Sequence, residues 1–516
     1  MLVKTFGSAV QGVDAFTITM EVNLGFPFGF VMVGLPDNAV RESKERIATA
    51  IRQAGLEWPR RRITVNLAPA DVRKEGSAYD LGLALGVLAA SQQIKAEKLA
   101  EYIIMGELSL DGTLQPIKGC LPMAIQARKE KFKGIILPAA NAGEAAIVNN
   151  LEVIPVKNLK EAVDFLNGTE EIAPMVKDTR EIFEQAQLQE GMDFLDVKGQ
   201  DFAKRALEVA AAGGHNVLMI GPPGAGKTML AKRIPSILPP FTLVESLEST
   251  KIHSVAGKLE PDSSLLARRP FRAPHHTTSD VALVGGGSFP QPGEVSLAHN
   301  GVLFLDELAE FKRPVLEVMR QPLEDRVITV SRARLSVVFP ANFMLVASMN
   351  PCPCGFYTHP DKPCYCGPVA IRRYLSRVSG PLLDRIDIQV EVTPVKFDAL
   401  VSRGRGDSSR KVQERVVAAR ERQHHRFRDH PELHSNAMMP ANLMRNFCKL
   451  DDECQDLMRR AMNILGFSAR AFDRIIKVAR TVADIDDSPD ITTDHIAEAI
   501  GYRNLDREKW AESLKQ

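Results

Sequence analysis

The strongest constraint on how this chain folds is the run VLMIGPPGAGKT at residues 217–228, followed by the helix-compatible MLAKRI. An apolar strand that enters a glycine loop and leaves in a helix is the G-x-x-x-x-G-K-T arrangement. Gly221, Pro222, Pro223, Gly224, Ala225 and Gly226 form a loop whose backbone N–H groups turn inward around phosphates, and the following helix adds its positive end. Lys227 reaches the outer phosphates and Thr228 can ligate magnesium. The surrounding alternation of helix and strand places an α/β core with a parallel sheet here.

A phosphate cradle needs an acidic partner for metal and water. Residues 302–307, VLFLDE, deliver Asp306 and Glu307 at the end of a buried strand. Asp306 would hold magnesium through water, and Glu307 would orient or deprotonate the attacking water. A second apolar strand, FMLVAS, ends at Met349 and Asn350, and in a parallel sheet its carboxyl end faces the same crevice. Asn350 is therefore expected to touch the γ-phosphate or the water. In PLLDRIDIQVEV, Arg385 stands between two acids just before a strand. It is either a surface ion pair or the cation that a neighbouring subunit supplies to the transferring phosphoryl group.

The 516 residues carry 65 Lys plus Arg against 64 Asp plus Glu, a net charge of +1, with 45% hydrophobic residues. That composition excludes wholesale disorder and a uniformly basic chain, while leaving room for local patches. The N-terminus has no apolar run that could serve as a signal-peptide core, and the apolar stretch Leu81–Ala90 falls short of the ~20 residues a bilayer requires. A cytoplasmic protein with no membrane span is expected. Before the phosphate loop, TITMEV and GFVMVG read as strands around the turn NLGFPF, followed by a helix from about Asp37 to Ala54 and the small-residue helix DLGLALGVLAA. After Pro394 the pattern is helical.

Four of the seven cysteines, Cys352, Cys354, Cys364 and Cys366, form two C-x-C pairs in CPCGFYTHPDKPCYC. Four thiolates on a short Gly/Pro-rich loop suit a closed tetrahedral zinc site, with a redox thiol cluster as the alternative and His359 as a substitute ligand. Cys120, Cys448 and Cys454 read as packing residues. Two basic patches stand out: Arg60, Arg61 and Arg62, and residues 402–430, with nine Lys/Arg against four Asp/Glu. Each is either a phosphate track or a solvated face. His275 and His276, without cysteine or carboxylate partners nearby in sequence, read as polar structural or pore-loop residues.

Taken together, LVKTFGSAVQGVDAF, VGLPDNAVRESKERI, RRITVNLAPADVRKEGSAYDLGLALG, RPFRAPHHTTSDVALVGGG, PQPGEVSLAHNGVLFLDELAEF and SMNPCPCG resemble the ComM/YifB family of magnesium-chelatase-like AAA+ ATPases, over essentially the whole chain. The resemblance implies a Lon-protease-like α+β domain over 1–168, a linker over 169–193, an AAA+ core over 194–395 and a C-terminal helical lid over 396–516. It makes Lys227 and Thr228 the Walker A pair, Asp306 and Glu307 the Walker B pair, Asn350 the first sensor and Arg385 the arginine finger. Arg470 matches the second sensor, with Arg474 competing, and Gly199 and Gln200 match the adenine-side motif.

The family acts as hexameric, ATP-driven DNA translocases promoting branch migration in natural transformation, so ATP, magnesium, DNA (single-stranded and branched), a homo-hexamer and recombination machinery are the implied cofactors and partners. DVALVGGGSFPQPGEVS resembles one pore insertion and RVITVSRARLSVVFP another. In the second, two β-rich runs flank Arg332 and Arg334, and no acid occurs from Val327 to Pro340, which suits contact with a phosphate backbone. Ser77 falls where Lon carries its nucleophile, but Leu121 stands at the partner lysine's position, with Lys118 three residues earlier, so peptidase activity is not expected. Two other readings compete: a chelatase motor acting on a porphyrin enzyme, and an AAA+ protease regulator with an inactive Lon-like domain.

Overall fold

The computed structural model describes residues 2–187, 191–260, 264–287, 290–332, 335–357, 359–395 and 406–503. Two sheets organise it. The first has seven strands in the order Gly29–Val33, Arg62–Ala68, Asp14–Gly25, Leu2–Gln11, Tyr102–Ile104, Gly134–Pro138 and Glu152–Val156. Its long strands alternate buried and exposed residues, as in Asp14–Gly25, where Ile18, Met20, Val22 and Leu24 face the core. The helix Asp80–Ala90 is buried along its whole length. Its glycines explain how it lies so close to the sheet: a Cβ on Gly82 would meet Met20 Cε at 2.5 Å, and one on Gly86 would meet Val22 Cγ2 at 2.9 Å. The helix Asn38–Gln53 starts at Asp37, whose side chain accepts from the Val40 N–H, and buries Val40, Ile47, Ala50 and Ile51 on one face.

The second sheet has five parallel strands in the order Phe271–Arg272, Val302–Leu305, Met344–Met349, Val217–Ile220 and Ile388–Glu391. The strand that comes first in the chain is thus inserted between the fourth and the fifth, which opens a crevice at the carboxyl ends beside Val217–Ile220. This α/β sheet and the helices after it match the expected fold class.

The segment read as a linker is not loose. Its helix Thr179–Gln187 is preceded by Met175, whose N–H donates to the Val153 carbonyl, and the Thr179 hydroxyl donates to the Ile147 carbonyl in a buried position. The first sheet unit docks on the helix Leu243–Ala256 of the second. The Gly119 N–H donates to the Ser254 carbonyl, the Ser254 hydroxyl donates to Glu144, and Leu265 joins the first unit's core.

The C-terminal helices, Ser409–Arg426, Ala441–Phe447, Asp452–Leu465, Ala469–Ile485 and Thr493–Gly501, share one apolar core with the helix Asp201–Gly213 and the strands Val217–Ile220 and Ile388–Glu391. A buried polar knot closes this junction. Asp484 accepts from Arg426, Arg480 and Asn436. Among the described residues, no helix is long and apolar enough to cross a membrane.

Candidate nucleotide site and thiol cluster

The loop from Gly221 to Gly226 joins the strand Val217–Ile220 to the helix Lys227–Arg233 at the carboxyl edge of the five-stranded sheet. Gly224 and Gly226 take φ of +78° and +92°, in open space, so glycine is needed there for conformation rather than for room. The Lys227 ammonium folds back over the loop. It donates to the carbonyls of Gly221 at 2.6 Å and Pro222 at 3.0 Å, and to Asn350 Oδ1 at 3.2 Å. Burial pushes its pKa down, with Asp306 and Glu307 opposing. An ammonium held by carbonyl oxygens beside inward-turned loop N–H groups can exchange them for phosphate oxygens.

Thr228 Oγ1 donates to Asp306 Oδ2 at 2.8 Å, and the Ser348 hydroxyl donates to the other oxygen, Oδ1. The Thr228 and Asp306 oxygens thus lie together where a hard cation coordinated by oxygen fits. Ser348 was not legible as a site residue; its signal is only its place two positions before Asn350. Glu307 adopts φ +54°, which turns its carboxylate into solvent, where the His276 Nδ1 lies 3.4 Å from Oε2. His276 therefore has the carboxylate partner that local sequence does not show. It follows the strand Phe271–Arg272, which pairs with the acidic strand. Gln200, also in the left-handed region at φ +63°, donates to the Ala225 carbonyl at 3.2 Å, and Gly199 beside it takes φ +60°, so this pair borders the phosphate loop.

The arginines divide. Arg385 is buried, its guanidinium donating to Glu324 Oε1 at 2.6 Å and to the Pro381 carbonyl at 2.6 Å. It precedes Ile388, which pairs with Val217, whereas the loop follows Ile220, which pairs with Glu391. Arg385 is therefore at the opposite end of the strands from its own phosphate loop, more than ~10 Å away at 3.3 Å per residue. Arg474 pairs with Asp387 at 2.9 Å. Asp387 is fully buried, and although burial opposes it, Arg474 and His215 hold its carboxyl well below the usual range. It also accepts from the Asn216 N–H, while His215 Nε2 contacts Thr481. Arg474 is thus engaged structurally, leaving Arg470, exposed in the first turn of the same helix, as the free candidate for a sensor.

The sulfurs of Cys352, Cys354, Cys364 and Cys366 all lie within 4.8 Å of one another. Cys352 to Cys354 is 3.3 Å, Cys354 to Cys364 is 3.6 Å and Cys352 to Cys364 is 3.7 Å. Four sulfurs ~2.3 Å from a central ion would stand about 3.8 Å apart, so the set fits tetrahedral zinc. His359 Nδ1 accepts from the N–H groups of Asp361 and Lys362, which commits that nitrogen to its turn rather than to a metal. The cluster also borders the nucleotide loop: a Cβ on Gly355, at φ +83°, would meet the Pro223 ring at 2.6 Å. Cys120, Cys448 and Cys454 are buried, as packing residues are.

The sequence matches the families described as magnesium chelatase, subunit ChlI, over residues 193–400, subunit ChlI of Mg-chelatase over 18–141, and the subunit ChlI C-terminal region over 406–503. It is 43% identical to competence protein ComM of Haemophilus influenzae, over 98% of both chains. It is 45% identical to YifB of Escherichia coli, an uncharacterized protein, over 97% of this chain and 96% of that one. The chain belongs to the ComM/YifB family of magnesium-chelatase-like proteins. A magnesium-chelatase 67 kDa subunit of Chlorobaculum parvum is more distant, 28% identical over 45% of this chain and 33% of its own length.

The remaining sequence candidates of this family member fall as follows. The strands Val327–Arg332 and Leu335–Pro340 form an antiparallel hairpin with Arg332 opposite Leu335; Arg334 lies outside the described residues. The other insertion holds the short helix Asp280–Val284 and a two-stranded pairing of Gly285–Gly286 with Gln291–Pro292. Three arginines of the basic helix Ser409–Arg426 are engaged by the surrounding fold, Arg415 by Glu208 and Asp407, Arg420 by the carbonyls of Ala211, Ala212 and His434, and Arg426 by Asp484, while Arg410 and Lys411 stay exposed beside Glu414 and Asp407. Residues 402–405 of that patch lie outside the described residues. Leu121 is fully buried, and the Lys118 stem lies over Gly257 of the second unit.

Proposed function

We propose that this ComM/YifB-family protein is a ring-forming ATPase that couples hydrolysis between subunits to DNA branch migration, in homologous recombination of incoming DNA during natural transformation. The observation that carries the subunit arrangement is the separation of groups within one chain. Lys227, Thr228, Asp306, Glu307 and Asn350 converge at the carboxyl edge of the sheet, while Arg385 sits at the other edge. A phosphoryl transfer needs a cation at the developing charge, and a second copy would bring its Arg385 and Arg470 to this loop. A homo-hexamer satisfies that requirement.

In each composite site, the loop N–H groups and Lys227 bind the ATP phosphates. Thr228 and Asp306 would hold magnesium, which supplies charge neutralisation between the outer phosphates. Glu307 accepts the proton of the water that attacks the γ-phosphorus as the bond to the β-phosphate oxygen breaks, and Asn350 orients that water. His276 keeps the Glu307 carboxylate aimed. Gly199 and Gln200 lie on the adenine side.

The likeness to a competence protein supports DNA as the substrate moved, and the hairpin at 327–340, with Arg332 and Arg334 and no acid, is the contact we assign to its backbone. Zinc held by the four cysteines would brace the loop beside Pro223. The N-terminal unit is assigned as Lon-like without peptidase activity, supported by the absence of a lysine at position 121.

The test is ATP-dependent branch migration on three- and four-stranded DNA, with Lys227→Ala as the control. Strand movement by the wild type alone supports the reading. ATPase activity indifferent to every DNA, with no strand movement, removes it.

A further inference from the structure

Exposed phenylalanines need a reason, and two of them stand together at the edge of the first sheet. Phe26 and Phe28 are 79% and 68% exposed, in the turn between the strand Asp14–Gly25 and the edge strand Gly29–Val33. The register places a cationic run beside them: Arg62 is the partner of both Gly25 and Gly29, the residues that bracket the turn. Arg60, Arg61 and Arg62 are all exposed, and among the described residues none of the three has a carboxylate partner. The Arg61 guanidinium carbon lies 5.4 Å from the centroid of the Phe26 ring. Space above the turn is open, since a Cβ on Gly25 would meet nothing within 4 Å.

This differs from the other basic patch, where Arg415, Arg420 and Arg426 are bound to Glu208, Asp407, Asp484 and carbonyls and the exposed Arg410 and Lys411 pair with Glu414 and Asp407. Three unpaired cations in one run are complementary to a polyanion. Two uncovered rings, one already stacked near a guanidinium, are complementary to flat unsaturated groups. Single-stranded nucleic acid offers both at once, a backbone charge at every residue and a free base face, whereas a duplex hides its faces in its own stack. An anionic membrane would use the same cations and rings, so binding to phosphatidylserine vesicles without affinity for an oligonucleotide overturns the platform.

We infer that Phe26, Phe28 and Arg60–Arg62 form a binding platform for single-stranded DNA on the N-terminal unit, separate from the pore hairpin. The rings stack on bases and the arginines meet phosphates. The choice of DNA rests on the motor reading above, and the platform adds a contact that holds a displaced strand while the ring moves the duplex.

The experiment is equilibrium binding of a labelled oligothymidylate to the full-length protein without nucleotide, across a salt series. Losing the stacking of a base on each of two rings predicts that Phe26→Ala/Phe28→Ala weakens binding by about 30-fold or more, with Phe26→Trp/Phe28→Trp restoring it. Replacing Arg60, Arg61 and Arg62 by Gln lowers the slope of log affinity against log salt by ~0.7 per lost contact, roughly 2 in all. Unchanged affinity and slope in both variants overturns the platform, with the motor reading intact if Arg332→Ala still weakens binding. Loss of ring assembly in the phenylalanine variant, with oligonucleotide affinity preserved, also overturns it and makes the face a subunit contact. A wild type that binds no oligonucleotide defeats both readings together.

Discussion

Arg474 and Asp387 form an ion pair of 2.9 Å beneath the amino end of the strand Ile388–Glu391, with Asp387 fully buried. The pair ties the helix Ala469–Ile485 to the sheet and engages Arg474 of FSARAFDR in a structural contact. Arg474→Met leaves the buried carboxylate without its cation, so a loss of about 3 kcal/mol is expected in urea unfolding. Arg470→Ala is expected to leave unfolding unchanged.

The same carboxylate gives a pH signature. Its pKa in the folded protein lies below the unfolded value of about 3.9, so the folded state binds fewer protons there. Its stabilisation is complete above about pH 4 and is lost as pH falls through the lowered value. Asp387→Asn should therefore flatten the acid limb of a stability-against-pH curve below about pH 4 while lowering the plateau at neutral pH.

Two inactive variants should rescue each other. Arg385→Ala and Glu307→Gln are each expected to lose ATPase activity, the first by about 1,000-fold and the second by about 100-fold or more. Mixed before assembly, a subunit with intact Glu307 faces a neighbour with intact Arg385, and activity returns. If mixing restores nothing, Arg385 does not act across the subunit boundary.

His276 offers a finer measure, because its imidazole is 3.4 Å from Glu307 Oε2. His276→Ala should reduce kcat by roughly tenfold with little change in KM, since the aim of the base is altered and nucleotide binding is not. Steady-state ATPase kinetics would show it.

Freshly purified protein should carry zinc, read by elemental analysis. Cys354→Ser should lose it and also weaken binding of a fluorescent ATP analogue, because the cysteine loop abuts Pro223. Protein without zinc removes the metal assignment.

Sequence reading named residues that the structure gathers at one edge of the sheet because they are contiguous in the chain. Residues 221–228 and the Asp306–Glu307 pair carry their chemistry in adjacent letters, and the strand before each shows its direction. The cysteines were visible for the same reason. Pairings that depend on topology were not. Asp387 meets His215 and Arg474 from distant parts of the chain, and His276 meets Glu307 only because Phe271–Arg272 lies beside Val302–Leu305. The basic helix after residue 405 illustrates the converse: its charge is legible, but the partners that occupy it belong to other helices. Phe26 and Phe28 read simply as turn residues, and only burial separates an uncovered ring from a packed one.

Gly355 has no side chain to rotate, and the Pro223 ring it touches has almost no torsional freedom. Where Gly355 lies against that ring, no flexible side chain stands between the cysteine loop and the 221–226 loop. Any chemistry that rearranges the four sulfurs, whether alkylation, oxidation or withdrawal of an ion, is therefore expected to displace the 221–226 loop through Pro223.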